Sequence, residues 1–278
     1  MEDLRTKRKG KILAVKDLPT LPPVLDEITK MIEDEHCTPK QIAEVIAKDQ
    51  VLSAKVLKMV NSPVYGFPRR ITTIQHAIVL LGFNVIRGII ISTSVFDVMS
   101  QAMVGLWEHS LGCATISKII AEELGLKDPE EFAVAGLLHD IGKVVIAIQL
   151  PEEKEEIQKL VAKEDITYLE AEKKVLGFGH DRVNSWLADH WNLPLPTKIA
   201  LTYHHNPESA EFYEKFAKIV HVADFITKVL EIGNSGDELL NTLSKKDFVD
   251  IGLSFKKLAK IMDRVLEDII EVLTFIPK

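Results

Sequence analysis

The chain contains very little cysteine: Cys37 and Cys113 are the only two among its 278 residues. Two cysteines cannot build a disulfide framework, and their scarcity is typical of a protein in a reducing compartment. Neither cysteine belongs to a CxxC motif, which argues against a zinc site made of thiolates. Any metal bound by this chain should therefore be held by nitrogen and oxygen ligands.

Long apolar runs and positive net charge are also missing. The most apolar stretch, residues 77–91, is interrupted by Asn84 and Arg87 and is too short to span a bilayer comfortably. The formal net charge is -7, so the surface as a whole does not attract nucleic acid. Together these absences predict a cytoplasmic globular protein with neither a membrane nor a nucleic acid as its partner.

Helical periodicity extends along nearly the whole chain. Residues 38–41, Thr-Pro-Lys-Gln, are predicted to form a capping box, with Thr38 as the N-cap and proline in the first turn. Gly82 separates two apolar helical stretches, and residues 132–148 are predicted to form one continuous helix. The pattern predicts an all-α protein.

The predicted helices divide into two lobes. Residues 1–100 form an N-terminal helical lobe, and residues 101–278 form a second lobe that contains the candidate site. No Gly-, Ser- or Pro-rich linker separates them in the sequence. We therefore expect the two lobes to pack rigidly against each other.

The most informative feature is a His-Asp doublet within an apolar segment. His139 and Asp140 follow the run Phe-Ala-Val-Ala-Gly-Leu-Leu at 132–138, and Lys143 lies shortly after them. Burying polar groups without partners is costly in free energy, so these side chains need compensation. Further polar residues in apolar surroundings lie on both sides of the doublet: His109, His180, His204, His205 and Asp224. A shared metal site would compensate all of them at once.

Asp140 is suited to bridge two metal ions. Its carboxylate has two oxygens, each of which can bind a separate cation, and neighbouring residues of a helix point about 100° apart. His180 begins a predicted helix, whereas His204 and His205 end one shortly before Pro207. Ligands at helix ends can converge on a cleft. These nitrogen and oxygen donors suit iron, manganese, zinc or nickel better than copper(I).

The alternative is that these side chains are ordinary core histidines and helix-end polar residues with partners of their own. We assign His36, His76 and His190 to that class, because nothing in the sequence pairs with them. His221 stays open between a supporting role and core packing, since it lies three residues before Asp224. For the remaining set, the combination of a His-Asp and a His-His doublet favours a metal site.

The motifs resemble a known superfamily. Residues 137–143, Leu-Leu-His-Asp-Ile-Gly-Lys, with His109 before them and Asp224 after them, resemble the HD superfamily of metal-dependent phosphohydrolases. Five further segments resemble the HDOD family within it: Leu18–Pro22, Ile46–Asp49, Asn61–Gly66, Ala77–Gly82 and Trp191–Pro194. The resemblance extends over residues from about 15 to 230. It implies a multi-helix HD-domain bundle with an N-terminal helical lobe packed against it.

HDOD domains occur in bacterial signalling and regulatory proteins, and many have lost their metal ligands. The ligand order of this chain is similar to that of the HD-GYP phosphodiesterases, which cleave cyclic di-GMP. By that resemblance the first metal is held by His109, His139, Asp140 and Asp224. The second is held by Asp140, His180, His204 and His205. Lys143 matches the lysine that contacts the substrate phosphate.

Two departures from HD-GYP enzymes bear on the site. Gly105 stands where the trinuclear enzymes carry a glutamate, so we expect two metals and not three. After the His-His doublet the chain reads Asn-Pro-Glu-Ser at 206–209, without the Gly-Tyr-Pro signature. Because that loop helps to define nucleotide recognition, its absence argues against cyclic di-GMP as the substrate.

Two functional hypotheses follow. In the first, the chain is a regulatory HDOD protein that binds a signalling protein or a small ligand, and two divalent metals, with iron or manganese favoured, are structural or sensory. In the second, it is a phosphohydrolase or phosphodiesterase acting on a nucleotide or cyclic nucleotide, with Asp140 and Lys143 as catalytic residues. A strongly cationic centre would attract a phosphate-containing molecule to an otherwise acidic protein. A purely structural helical module is the remaining alternative.

Overall fold

The computed structural model describes residues 2–13, 24–32, 34, 36–237, 239, 240 and 243–275. Within these ranges the regular structure is helical and contains no strand, which confirms the all-α prediction. The helices are α1 (Glu2–Leu13), α2 (Val24–Ile32), α3 (Pro39–Ile46), α4 (Gln50–Val60), α5 (Ile74–Ala102), α6 (Leu106–Glu123), α7 (Pro129–Leu138), α8 (Ile141–Gln149), α9 (Pro151–Lys163), α10 (Tyr168–Leu176), α11 (His180–His190), α12 (Leu195–Tyr203), α13 (Glu214–Val229), α14 (Lys245–Ile251) and α15 (Phe255–Leu273), with a short 3-10 helix (Pro207–Ser209) after α12.

Helix starts follow the capping signals of the sequence. The predicted capping box of α3 is present: the Thr38 hydroxyl accepts from the Gln41 backbone N–H, and the Gln41 side chain accepts from the Thr38 backbone N–H at 2.8 Å. The same reciprocal pair of bonds begins α10, between Thr167 and Glu170. Each box satisfies backbone donors that have no partner within the helix.

Gly82 divides α5 as predicted. Its φ of 77° and ψ of 166° are not helical, and a positive φ of this size favours glycine because it has no Cβ. The part of α5 from Ile74 to Phe96 is long and apolar enough to cross a membrane, but 72% of its most apolar window is buried inside the protein. α7–α8 and α9 pass the same test only as a pair, bent by 118°. Burial of this kind is characteristic of a core helix.

α6 lies at the centre of the helical packing. This helix packs against α7, α13 and α15, while α11 packs against α8 and α12. The N-terminal helices α2, α3 and α4 pack on α5, which in turn contacts α7 and α8. The helices that carry the candidate ligands are therefore neighbours at the centre of the fold. The division into lobes at residues 1–100 and 101–278 stays a prediction.

The prediction of one helix over residues 132–148 was wrong. α7 ends at Leu138 and α8 begins at Ile141, with His139 and Asp140 at the break between them. The buried side chain of Asn184 holds the break open: its amide nitrogen donates to the His139 carbonyl, and its oxygen accepts from the Gly142 backbone N–H at 2.8 Å. A side chain from α11 thus replaces part of the helical bonding, and the apolar pattern of 132–148 contains no sign of it.

We expect Asn184→Leu to destabilise the fold, because it leaves buried backbone groups of His139 and Gly142 without partners. The loss should be about 3 kcal/mol in the free energy of unfolding, measured by denaturant titration. Asn206→Ala is the control: within the described part of the chain the Asn206 side chain bonds to the exposed Ser209 hydroxyl, and its loss should cost about 0.5 kcal/mol. Equal losses in the two variants would contradict the role given to Asn184.

Candidate metal centre

The structure brings all seven predicted ligands into one cluster at the centre of the bundle. Their ligand atoms form two groups, and within each group the atoms lie within 4.8 Å of one another. The first group consists of His109, His139 and Asp224. The second consists of Asp140, His180, His204 and His205. Each group could hold a metal ion.

Five different segments supply these side chains. They are the first turn of α6 (His109), the break between α7 and α8 (His139, Asp140), the start of α11 (His180), the end of α12 (His204, His205) and the middle of α13 (Asp224). Most of the ligands lie at helix ends, as the sequence predicted for His180 and for the His-His doublet. Several helix ends can converge on one point, whereas helices that pack side by side bring fewer side chains to the same point.

The carboxylate of Asp140 lies between the two groups. Its Oδ2 is 3.4 Å from His139 Nε2 and 3.8 Å from His109 Nε2. Its Oδ1 is 3.2 Å from His180 Nε2 and 3.8 Å from His204 Nε2. One oxygen therefore faces each group, which is the arrangement expected of a bridging ligand.

Within the first group, His109 Nε2 lies 3.0 Å from Asp224 Oδ1 and 3.3 Å from His139 Nε2. Within the second, His180 Nε2 lies 2.8 Å from His205 Nε2. Two imidazole nitrogens that face each other at this distance can bond only if one carries a proton. A cation between them would satisfy the lone pairs of both.

The outward-facing ring nitrogens orient two of the histidines. His139 Nδ1 lies 2.7 Å from the Gly136 carbonyl, and His204 Nδ1 lies 3.0 Å from the Leu201 carbonyl. Because a carbonyl only accepts, Nδ1 of each ring must carry the hydrogen. The Nε2 atom of each ring then points at the centre, and a metal bound there displaces any proton that Nε2 carries.

Glu172 orients a third histidine, and the sequence analysis missed it. Its Oε2 accepts from both the backbone N–H of His180, at 2.7 Å, and the Nδ1 of the same residue, at 2.6 Å. Glu172 is fully buried, although its helix is otherwise amphipathic with charged residues outside. Helical periodicity could have predicted the burial of Glu172, because it lies on the same helical face as Tyr168 and Ala171, which are also buried.

Burial and neighbouring charges set the protonation of the histidines. Burial lowers the pKa of His204 and His205 well below the usual value, and neighbouring imidazoles lower it further. For His180, burial works in the same direction, but the carboxylates of Glu172 and Asp140 together outweigh it and raise the pKa to about 9. His204 and His205 are therefore neutral at pH 7, which is the form that binds metals.

Both carboxylates of the cluster are ionised. Burial alone would raise the pKa of Asp140, but the ammonium group of Lys143 and the imidazole of His139 hold it well below the usual value. Burial alone would also raise the pKa of Asp224, but the ammonium group of Lys228 is the main cause that holds it well below its usual range. The centre thus supplies ionised oxygen donors together with imidazole nitrogens.

Among the described residues, several buried ligand atoms form no hydrogen bond of proper geometry, although charged groups lie near some of them, such as Lys228 Nζ at 3.0 Å from Asp224 Oδ2. These ligand atoms are Asp140 Oδ1, His204 Nε2 and both carboxylate oxygens of Asp224. A buried polar atom without a partner is costly, and native proteins keep few of them. Metal coordination would satisfy these atoms, so the residues present fit a metal centre.

Comparison with known proteins identifies the family. The sequence profile of the HDOD domain matches residues 18–207. The chain belongs to the HDOD family. Of the segments that suggested this, residues 18–22 lie outside the part of the chain that the structure describes.

Two curated relatives of this HDOD protein are uncharacterized. One, from Treponema pallidum (strain Nichols), is 27% identical over 224 residues and is matched over 78% of this chain and 43% of its own length. The other, YuxH from Bacillus subtilis (strain 168), is 29% identical over 144 residues, which cover 50% of this chain and 34% of YuxH. The chain thus spans less than half the length of these relatives.

Solved structures share the HDOD fold. An HDOD domain protein of unknown function from Geobacter sulfurreducens is 28% identical, with a TM-score of 0.76 over 99% of both chains. A protein from Shewanella amazonensis, provisionally named a phosphohydrolase, is 26% identical, with a TM-score of 0.70 over 95% of this chain and 97% of its own.

Gly105 of this HDOD protein has no room for a side chain. Its carbonyl accepts from the Asn234 backbone N–H at 2.9 Å, and a Cβ at position 105 would lie 2.8 Å from the Asn234 Cβ. Its φ of 88° also favours glycine. A glutamate could not occupy this position without displacing the chain around Asn234. The observation supports the expectation that this position contributes no additional ligand.

Two buried lysines lie beside the cluster. Lys143 Nζ donates to Asp140 Oδ2 at 2.8 Å and to the Ser235 carbonyl at 2.9 Å, and its side chain is fully buried. Lys228, which the sequence analysis missed, places its Nζ 3.0 Å from Asp224 Oδ2. Each ligand carboxylate therefore has an ammonium partner. Contact of Lys143 with a substrate phosphate stays a prediction.

The other histidines lie outside the cluster. His36, His76 and His190 are exposed, and neither group of candidate ligands includes them. His221, which the sequence left open, is buried and places its Nδ1 2.6 Å from the His204 carbonyl. It therefore bonds to the backbone of the His-His doublet and is not a candidate ligand.

Cavities reach the cluster from two sides. His205, the one half-buried ligand of the seven, lines a cavity of about 300 Å³ together with Lys173 and Arg182. A cavity of about 380 Å³ on the other side is lined by His109, Lys228 and residues 231–235. Both lie next to cationic side chains.

Glu172→Gln tests the electrostatic role of Glu172 in metal-free protein. A folded-state pKa of about 9 for His180 exceeds its value of about 6.5 in the unfolded chain. The stabilisation from this pair is thus fully present below about pH 6.5 and is lost as the pH rises through about 9. We expect the stability difference between wild type and variant to shrink across that range in denaturant titrations. A pH-independent difference, or an equal trend in the surface control Glu155→Gln, would contradict this.

Proposed function

We propose that this HDOD protein is a bacterial signalling protein that retains a dinuclear centre of divalent transition-metal ions. The ligands of the first ion would be His109, His139, Asp140 and Asp224. Those of the second would be Asp140, His180, His204 and His205. Iron and manganese suit these nitrogen and oxygen donors best, and zinc and nickel also fit them.

The observation that carries the proposal is the position of the Asp140 carboxylate. Its Oδ1 and Oδ2 face different histidine groups, at 3.2 Å from His180 Nε2 and 3.4 Å from His139 Nε2. An ordinary buried aspartate would not need to place its two oxygens against two separate groups of histidines. Among the described residues, Asp140 Oδ1 receives no hydrogen bond of proper geometry, which supports a cation between it and the facing histidines.

The enclosure of the centre supports a regulatory role. Every candidate ligand except His205 is at most 1% exposed, and Lys143 is covered by the segment around Ser235. A centre so enclosed suits metals that stabilise or report a conformation. Its partners would be a signalling protein and a phosphate-containing small molecule. The free cysteines, Cys37 and Cys113, support the reducing environment of the cytoplasm.

A second candidate function, metal-dependent phosphohydrolysis of a nucleotide or cyclic nucleotide, is supported by the cavity at His205. This cavity of about 300 Å³ combines a half-buried ligand with Lys173, Arg182 and Asp181, of which Asp181 pairs with Lys173. The lining keeps a net positive charge, which suits an anionic substrate. Bound divalent cations would supply Lewis-acid activation of water and stabilise charge at phosphorus. Of the residues of the chain, Asp140 would hold the centre together and Lys143 would neutralise a phosphate oxygen.

We expect protein purified without chelators to contain about two transition-metal ions per chain, measured by inductively coupled plasma mass spectrometry. Asp140→Ala removes the bridging carboxylate and should lower the content to background. Asp140→Asn, which keeps the size of the side chain, should do the same if the alanine variant does not fold. Asp189→Ala is the control, since Asp189 is exposed and pairs with Lys198. Background metal in carefully prepared wild type would refute the proposal.

Measuring phosphate-ester hydrolysis distinguishes the phosphohydrolase function from the regulatory function. Under the phosphohydrolase proposal, manganese- or iron-loaded protein releases product from a generic phosphodiester or from a nucleotide, and Asp140→Ala abolishes the release. Intact metal without release from a broad phosphate panel would favour the regulatory function.

A further inference from the structure

Residues 232–237, here named the cover segment, lie against the metal centre. The Asn234 backbone N–H donates to the Gly105 carbonyl at 2.9 Å, and the Ser235 carbonyl accepts from Lys143 Nζ at 2.9 Å. Ile232 and Ser235 are buried, at 5% and 3% exposure. The segment has no helical structure of its own, so contacts with its surroundings hold it in place.

The cover segment places a third carboxylate between the two buried lysines. Asp237 Oδ2 lies 3.3 Å from Lys228 Nζ and 3.8 Å from Lys143 Nζ. The exposed fractions of the three side chains are 2% for Asp237, 6% for Lys228 and 0% for Lys143. Asp237 is not a member of either group of candidate ligands. It therefore contacts the lysines without belonging to the metal centre.

The charge balance explains why an anion is needed at this point. Lys143 and Lys228 each have one ligand carboxylate nearby, at 2.8 Å from Asp140 and 3.0 Å from Asp224. When these carboxylates coordinate cations, their negative charge is shared with the metals. The lysines then retain Asp237 as their remaining anionic partner, and burying ammonium groups without one is strongly unfavourable. Phosphate oxygens would meet the same requirement, because they accept from ammonium groups as carboxylate oxygens do.

We propose that Lys143 and Lys228 form an oxyanion site for the phosphate group of a ligand, and that Asp237 occupies this site as an internal substitute. The inference rests on the proposed function, because the phosphate would belong to the small molecule that the centre recognises. Its new elements are Lys228 and Asp237. Asp140 lies at the break between α7 and α8, where Asn184 fixes the backbone, and Asp224 lies within α13, whereas Asp237 lies in the cover segment. Displacement of Asp237 would therefore open the site without disturbing the ligands.

Asp237→Asn isolates the charge of this residue. Asp237 Oδ1 also accepts from the Tyr168 backbone N–H at 2.5 Å, at the start of α10. Asparagine keeps an oxygen for that bond and nearly the same volume, so the substitution removes little besides the negative charge. Asp237→Ala provides a second variant if the asparagine variant does not fold.

The experiment measures binding of inorganic phosphate to the full chain by isothermal titration calorimetry. We expect Asp237→Asn to bind phosphate at least about tenfold more tightly than wild type, because the competing carboxylate is gone. Adding Lys228→Gln to Asp237→Asn should remove this gain. Asp250→Asn is the matched control, since Asp250 pairs with another buried lysine, Lys218, outside the ligand cluster, and it should leave phosphate affinity unchanged.

An unchanged phosphate affinity in folded Asp237→Asn would overturn the proposal. So would a gain that persists in the double variant or that appears equally in Asp250→Asn. Turnover is a separate readout, so the two proposals can fail independently. A gain in affinity that depends on Lys228, without hydrolysis by any variant, supports the oxyanion site and refutes only the phosphohydrolase function. Hydrolysis by wild type without any gain in affinity refutes only the oxyanion site.

Discussion

The structure depends on one buried carboxylate, that of Asp140, and on the charges that balance it. Asp140 has an imidazole group on each side and the ammonium group of Lys143 at 2.8 Å. In a low-dielectric interior such a carboxylate is stable only if its surroundings are positive. The helices that pack around it are consequently arranged so that their polar ends, rather than their apolar sides, meet at the centre.

Asn184 and Glu172 fix the positions of candidate ligands by hydrogen bonds. Asn184 keeps α7 and α8 apart at the doublet, and Glu172 fixes the orientation of His180. Neither residue is a candidate ligand. Both act by bonding to groups that would otherwise be buried without partners, and a bundle with the same apolar core but without them would not present the same set of nitrogen and oxygen atoms.

Membership in the HDOD family establishes the fold of this protein, whereas its chemistry depends on the geometry of the candidate ligands. The match over residues 18–207 establishes the family, and the similarity to the Geobacter sulfurreducens structure covers 99% of both chains. Neither comparison names a reaction for this chain. The chemistry has to be argued from the site itself, where the enclosed ligands, the cavity at His205 and the two lysines each constrain what can bind.

The sequence alone determined the all-α class, the capping box at Thr38, the interruption at Gly82 and the seven candidate ligands, because these depend on local periodicity, backbone preference and residue type. It also contained the motifs of the HDOD family. Tertiary structure decided what depends on residues distant in sequence. The helix break at His139 comes from Asn184, the orientation of His180 from Glu172, and the covering of Lys143 from Ser235 and Asp237. No local pattern encodes these contacts, because each partner satisfies a polar group that becomes buried only when the helices pack.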